Sequence, residues 1–373
     1  MATERPLRRK VYAVAAMVSA LPHRLLSGHS YPAQFLLWAL LVLPACLALA
    51  YFPATKYNPY DAFTGGADGD AAQYIAIYHG ASLHGIPKPY RYRFVVPVLA
   101  RAVPLPPGVL LRHFQMSAIK VVTYRFAIVN ALGLFLATVG LALLMGRLRF
   151  SAAEQLLGSF VFLTCFVTVN YGTVPQVDGA SFAALALGIA AGAWRRWIAL
   201  AAITLVAMFV KETSVLIAVG AILYQSNWVD RRSALLACLP GLVAYGVVRL
   251  FILPTTAGYS YSLSSAAADI IHYSTSGSGL VQFAYSLLAG FGPLLVLAPL
   301  GWVVVRRAGD RQELLRLTWL VLVVVALSFL LTTSLERVWF LAFPAMIPLS
   351  VVAVSYVATK LDSKVGSTEA RRA

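Results

Sequence analysis

The chain has 373 residues, of which 60% are hydrophobic and 12% charged, with a mean hydropathy of +0.77 and a formal net charge of +16. A soluble globule carries about 25% charged residues, so this composition excludes one and belongs in a bilayer. The basic residues sit in short clusters between long apolar runs, not in patches interleaved with aromatics, which argues against a nucleic-acid partner.

Residues 1–33 read as a cytoplasmic N-terminal segment. An apolar stretch at 11–21 follows Arg5, Arg8, Arg9 and Lys10, and leads into Pro22, His23 and Arg24, with no small-residue cleavage site. It is shorter than the roughly 20 residues a crossing needs, so a helix lying in the interface is expected.

One transmembrane domain is expected over 34–359. Ten crossings are predicted, near 34–52, 123–145, 153–169, 179–194, 197–210, 214–224, 234–253, 281–305, 314–331 and 338–358; the sixth is short for a span. With the N-terminus inside, the inner loops carry Arg147 and Arg149, then Arg195 and Arg196, then Arg231 and Arg232, then Arg306, Arg307, Arg311 and Arg316. The tail 360–373 adds Lys360, Lys364, Arg371 and Arg372. Basic inner loops satisfy the positive-inside rule, and omitting one crossing would invert every later loop. Both termini are therefore expected in the cytoplasm. The fold class is an all-α polytopic membrane protein. Cys46, Cys165 and Cys238 all fall in apolar runs and read as small hydrophobes.

The acids behave differently. Asp61, Asp68, Asp70, Asp178, Glu212, Asp269 and Glu336, half of the 14 acidic residues, map to outer loops or outer helix ends. Carboxylates near membrane depth are costly unless paired or hydrated, so they point to a shared polar cavity opening outward. Scattered, solvated loop acids are the alternative.

The first outer loop, 53–122, is too long for a mere connection. In "GGADGDAAQYIAIYHG" (residues 65–80), Asp70 is followed by Gln73, Tyr74, Ile77, Tyr78 and Ala81 at helical spacing. A second apolar stretch, "FVVPVLARAVPLPPGVLL", follows "PYRYR" (89–93). Two amphipathic helices on the outer leaflet are expected. Asp70 sits where an N-cap would, with Gln73 three residues on, so capping alone could account for it. Capping leaves Asp68 and Asp61 unexplained.

The segment "DAAQYIAIYHGASLHGIPKPY" resembles the start of the first outer loop in the GT-C superfamily, the membrane glycosyltransferases that use polyprenyl-phosphate sugars. The likeness extends to the order of a first span, a long loop with surface helices and many further spans, and to "VKETS" (210–214) and "SLERVWFLAFP" (334–344). The resemblance implies a catalytic acid at Asp70 and an aromatic partner at Tyr74. It also implies a polyprenyl-phosphate-sugar donor, a glycan or lipid-linked acceptor and membrane lipids as partners. No cofactor is expected.

Such chemistry needs a carboxylate to take the acceptor's proton and cations to stabilise the departing phosphate. A single base with in-line displacement inverts the anomeric carbon. Asp70 is the first candidate base, then Asp68 and Asp61. The D-x-D pair Asp68/Asp70 is similar to a metal pair of nucleotide-sugar enzymes, but nucleotide sugars are cytosolic and this loop faces outward, so metal-free transfer is preferred. Candidates for the phosphate are Lys211, Arg337, Arg91 and Arg93. Lys211 beside Glu212 and Arg337 beside Glu336 read equally as snorkelling pairs at helix ends, and Arg91 and Arg93 as headgroup anchors. Asp178 is either a cap for the fourth span or a substrate contact. The outer loop 254–280 brings Asp269, His272 and Tyr273 onto one short helix that could serve as a lid. His79 and His84 lie on different faces, which argues against metal ligation. A flippase, transporter or polymerase of lipid-linked glycans is the competing function. The purely membranous architecture suggests a bacterial inner membrane, with the site facing the periplasm.

Overall fold

The computed structural model describes residues 31–55, 70–106, 108–113, 115–172, 176–254, 263–331 and 335–370. The interfacial helix expected at 11–21, together with Asp61 and Asp68, lies outside these residues. So do the side chains of Glu336 and Arg337.

The described residues are helical throughout, with no strand. In chain order the helices are α1 (Tyr31–Thr55), α2 (Asp70–Tyr78), α3 (Val95–Ala102), α4 (Gly108–His113) and α5 (Ala118–Arg147). Next come α6 (Ala152–Thr164), α7 (Phe166–Tyr171), α8 (Asp178–Ala193), α9 (Trp197–Ala207), α10 (Leu216–Tyr224) and α11 (Trp228–Val247). The set ends with α12 (Leu263–Thr275), α13 (Gly277–Phe291), α14 (Leu294–Ala308), α15 (Gln312–Leu331), α16 (Leu335–Trp339) and α17 (Phe343–Ala370).

Among the described residues, four helical segments are long and apolar enough to cross a membrane: Ala118–Arg147, Trp228–Ile252, Gln312–Phe329 and Phe340–Leu361. A fifth is the pair α13/α14, bent by 66°. The sequence predicts one continuous span there, at 281–305. Gly292, at φ +49°, and Pro293 break it, because a left-handed residue followed by a proline cannot continue the backbone ladder. The span expected at 153–169 is likewise two pieces, α6 and α7, separated by the extended backbone of Cys165. The helix expected from Asp70 to Ala81 stops at Tyr78, where Gly80 turns left-handed at φ +89°. The second surface helix is also divided, into α3 and α4, across a segment containing Pro104 and Pro106.

Close packing comes from small residues. A Cβ on Gly140 of α5 would lie 2.6 Å from the backbone of Ala186 on α8, and one on Gly301 of α14 would lie 1.8 Å from the carbonyl oxygen of Leu349 on α17. Such backbone approach is how helices gain van der Waals contact where lipid offers no hydrophobic drive. Between the seams, Phe162, Phe182, Phe340 and Phe343 stack edge to face. Trp38 of α1 donates to Ser159 of α6 at 3.2 Å, tying the first helix to the bundle.

The predicted inner loops share one basic end. Arg147 donates to the carbonyl of Ala193, Arg195 pairs with Asp230 at 2.5 Å, Arg316 donates to the carbonyl of Tyr224, and Arg311 lies over Phe150. Helix α8 runs from this end to Asp178. Its 16 residues span roughly 24 Å, and that distance separates the basic end from Asp178.

Candidate functional site

At the far end of α8, the loop between α1 and α5 folds onto the bundle. Of the stripe predicted from the sequence, Tyr74, Ile77 and Tyr78 are buried while Gln73 is half-buried and Ala81 exposed; Tyr74 and Tyr78, with Ile75, pack with Val96 and Ala100 of α3, Val122 and Phe126 of α5, and Val177 and Val210. Tyr90, Arg91 and Tyr92 form a 3-10 turn beneath it.

Asp70 opens α2, and its Oδ1 accepts a 2.6 Å hydrogen bond from the hydroxyl of Tyr90. The Tyr90 ring stands edge-on to Tyr74 at 5.7 Å. The Tyr74 hydroxyl in turn accepts from Arg93 at 3.0 Å. Arg93 grips Glu212 with both arms of its guanidinium, Nε to Oε2 at 2.8 Å and Nη2 to Oε1. One chain of contacts therefore links Asp70, Tyr90, Tyr74, Arg93 and Glu212. Burial by itself would raise the Glu212 carboxyl, but the Arg93 charge and hydrogen bonds outweigh it and hold the group below the usual carboxylate range. For Tyr90, burial first and then the Asp70 carboxylate push the phenol well above its ordinary value, so it stays protonated and keeps donating.

A second buried pair lies alongside. Lys211 donates to Asp178 Oδ1 at 2.7 Å and rests over the ring of Phe340 at 5.7 Å. Asp178 is fully buried, and Lys211 nearly so. Around this pair, the hydroxyls of Ser181, Thr213 and Ser214 and the side-chain oxygen of Gln176 are buried without a hydrogen-bond partner. Each such group costs about 1–3 kcal/mol until something satisfies it.

The structure thus joins Asp70, Tyr74, Arg93 and Glu212 in one network and places Lys211 with Asp178 beside it. It separates the others. Arg91 is buried and committed to backbone carbonyls, donating to Ile86 at 2.6 Å and His84 at 2.8 Å; it braces the loop and does not reach into the network. Tyr273 packs into the large apolar core against Phe283 and Phe329, while His272 is exposed and bonded to the Ser276 hydroxyl. The α12 helix of the predicted lid therefore turns its tyrosine into the bundle. Among the described residues no group of three or more His, Cys, Asp or Glu side chains could hold a metal ion.

Three polar residues inside apolar runs complete this end. Arg125 donates to the Tyr78 hydroxyl at 2.7 Å, Asn130 donates to the carbonyl of Gln176 at 3.1 Å, and Arg249 lies over the rings of Tyr92 and Tyr245. Their sequence signal is a polar side chain at a predicted span's depth, which is rare unless it has a function or a partner. Tyr90, which the sequence reading leaves out of the site, is the direct partner of Asp70. Compared with protein-family models, curated protein sequences and solved structures, the chain matches none.

Proposed function

We propose that the chain is a membrane glycosyltransferase of the GT-C type, moving a sugar from a polyprenyl-phosphate donor to a glycan or lipid-linked acceptor with inversion. The observation that carries this reading is the buried network running from Asp70 through Tyr90, Tyr74 and Arg93 to Glu212. It holds a carboxylate at the start of a surface helix, at the end of the bundle away from the arginine-rich loops. In this reading the acceptor oxygen attacks the anomeric carbon as Asp70 takes its proton. The carbon–oxygen bond to the phosphate breaks, and the polyprenyl phosphate leaves with the electron pair. Tyr90 aims the carboxylate, taking one of its roughly four lone-pair sites. The unsatisfied groups on Gln176, Ser181, Thr213 and Ser214 would meet sugar or acceptor hydroxyls.

In this reading the basic end is cytoplasmic, as the positive-inside rule asks, and the network faces the periplasm from a bacterial inner membrane. The ten-crossing arrangement uses the shorter apolar stretches of α1, α6, α8, α9 and α10 as further membrane elements.

A second reading, a flippase of lipid-linked glycans, is favoured by the 66° break between α13 and α14, since transporters build sites from interrupted helices. Incubation of purified protein with a panel of polyprenyl-phosphate sugars and acceptors, followed by mass analysis, tests the two. A new glycosidic product supports transfer. Lipid movement across vesicles without a new bond supports the flippase.

A further inference from the structure

The cations at the network end are unequally occupied. Arg93 and Lys211 are neutralised by Glu212 and Asp178, and Arg91 is bound by two carbonyls. Arg249 is different. It stands on a single widened π turn, Val248–Ile252, that prolongs α11, and such turns recur at functional sites. Its guanidinium lies 5.6 Å from the Tyr92 ring and 6.0 Å from the Tyr245 ring, with Nη1 3.4 Å from the Tyr245 hydroxyl. Among the described residues no carboxylate pairs with it.

Aromatic faces hold a guanidinium in place, and apart from the long Nη1 contact to Tyr245 they leave its donors to other partners. Tyr92 is itself anchored, donating to the carbonyl of Leu253 at 3.0 Å, and it immediately precedes Arg93. The three residues after Arg249 are apolar and outward: Leu250 is 66% exposed, Phe251 76% and Ile252 57%. An aromatic-held cation thus borders an apolar, lipid-ready face, and one of the rings that holds it, Tyr92, directly precedes Arg93 of the Asp70–Glu212 network.

We propose that Arg249 binds the phosphate of an amphiphile whose long hydrocarbon tail lies along Leu250, Phe251 and Ile252. Identifying that amphiphile with the glycosyl donor rests on the function proposed above. Arg125 is less suited, because its guanidinium is held by the hydroxyl and ring of Tyr78, beside the buried Phe126.

Purified full-length protein is titrated with polyprenyl phosphate, with polyprenol lacking the phosphate, and with inorganic phosphate. Polyprenyl phosphate should bind R249Q at least tenfold more weakly than wild type. R306Q, at the basic end, should bind as wild type does. Neither polyprenol nor inorganic phosphate should match the phosphate lipid. Wild-type protein is also treated with phenylglyoxal, which modifies arginines, and mapped by mass spectrometry. Polyprenyl phosphate should protect Arg249 but leave Arg306 reactive, a readout that stands even if R249Q fails to fold. Equal binding by R249Q, equal loss in R306Q, inorganic phosphate matching the lipid, or modification of Arg249 unaffected by the lipid would each overturn the assignment. Protection of Arg249 without sugar transfer would leave this site standing and remove the transferase reading; transfer without protection would do the reverse.

Discussion

Arg93 and Glu212 lie 119 positions apart in the chain, yet they meet through two parallel hydrogen bonds between the first long loop and the 3-10 turn that precedes α10. This contact clamps the loop carrying Asp70 to the helical bundle. A buried charge pair of this kind has a large penalty for losing one partner and a small one for losing both.

Substituting Arg93→Met or Glu212→Met singly should destabilise the folded protein in detergent by about 3–5 kcal/mol, because an uncompensated charge stays buried. The double variant R93M/E212M should recover much of that loss. Thermal unfolding of the four proteins reads the coupling directly. Additive losses would mean that the two side chains do not act as a pair.

Glu212 also sets a pH dependence. Its folded-state carboxyl lies below the unfolded value of about 4.3, so the pairing contributes fully above that value. The contribution should fade as pH falls below about 4 and through the lower folded-state value. Unfolding midpoints between pH 7 and pH 3 should decline at the acid end for wild type and be flatter for E212Q.

Asp70→Asn should lower sugar transfer by about 10²–10⁴-fold, the range supplied by a positioned general base, without reducing protein yield. Tyr90→Phe should cost less, since it removes the hydrogen bond that aims the carboxylate and leaves the carboxylate itself. Near-normal transfer by D70N would take Asp70 out of the role.

Chelation tests the D-x-D alternative. EDTA should leave transfer largely intact. Loss of activity restored by Mg²⁺ or Mn²⁺ would instead assign Asp68 and Asp70 to a metal.

The helix seams should be intolerant of added volume. Gly301→Val places atoms into the Leu349 carbonyl, 1.8 Å from where the first added carbon would stand. Overpacking typically costs about 1–3 kcal/mol or more, and here the obstacle is backbone. Folded yield and unfolding temperature should both drop, whereas Gly246→Val, where a Cβ meets nothing within 4 Å, should fold normally.

The positions of several candidate residues were legible one at a time. Asp70 at the start of a surface helix, Tyr74 one turn along its buried stripe, and charged helix ends at Lys211 and Glu212 all follow from local pattern. Their partners did not. Lys211 beside Glu212 reads as a sequence-local pair, but in three dimensions each takes a different opposite, Asp178 and Arg93. Adjacent residues in an extended-to-helix turn point apart, so nearest neighbours in the chain are poor guides to ion pairing. Tyr90 and Arg249 were obscured for a similar reason, since their partners come from α2 and from the loop turn.

By itself the sequence determined that this chain is helical and apolar enough for a membrane, and which loops carry the arginines. Burial, periodicity and charge distribution are local or additive properties, so they can be read along the chain. Tertiary structure alone decided which cations are neutralised at the network end and how closely the helices approach, as at Gly301. Those outcomes depend on carboxylates and backbone brought from distant segments, and pairwise contact across that distance has no signature in a linear pattern.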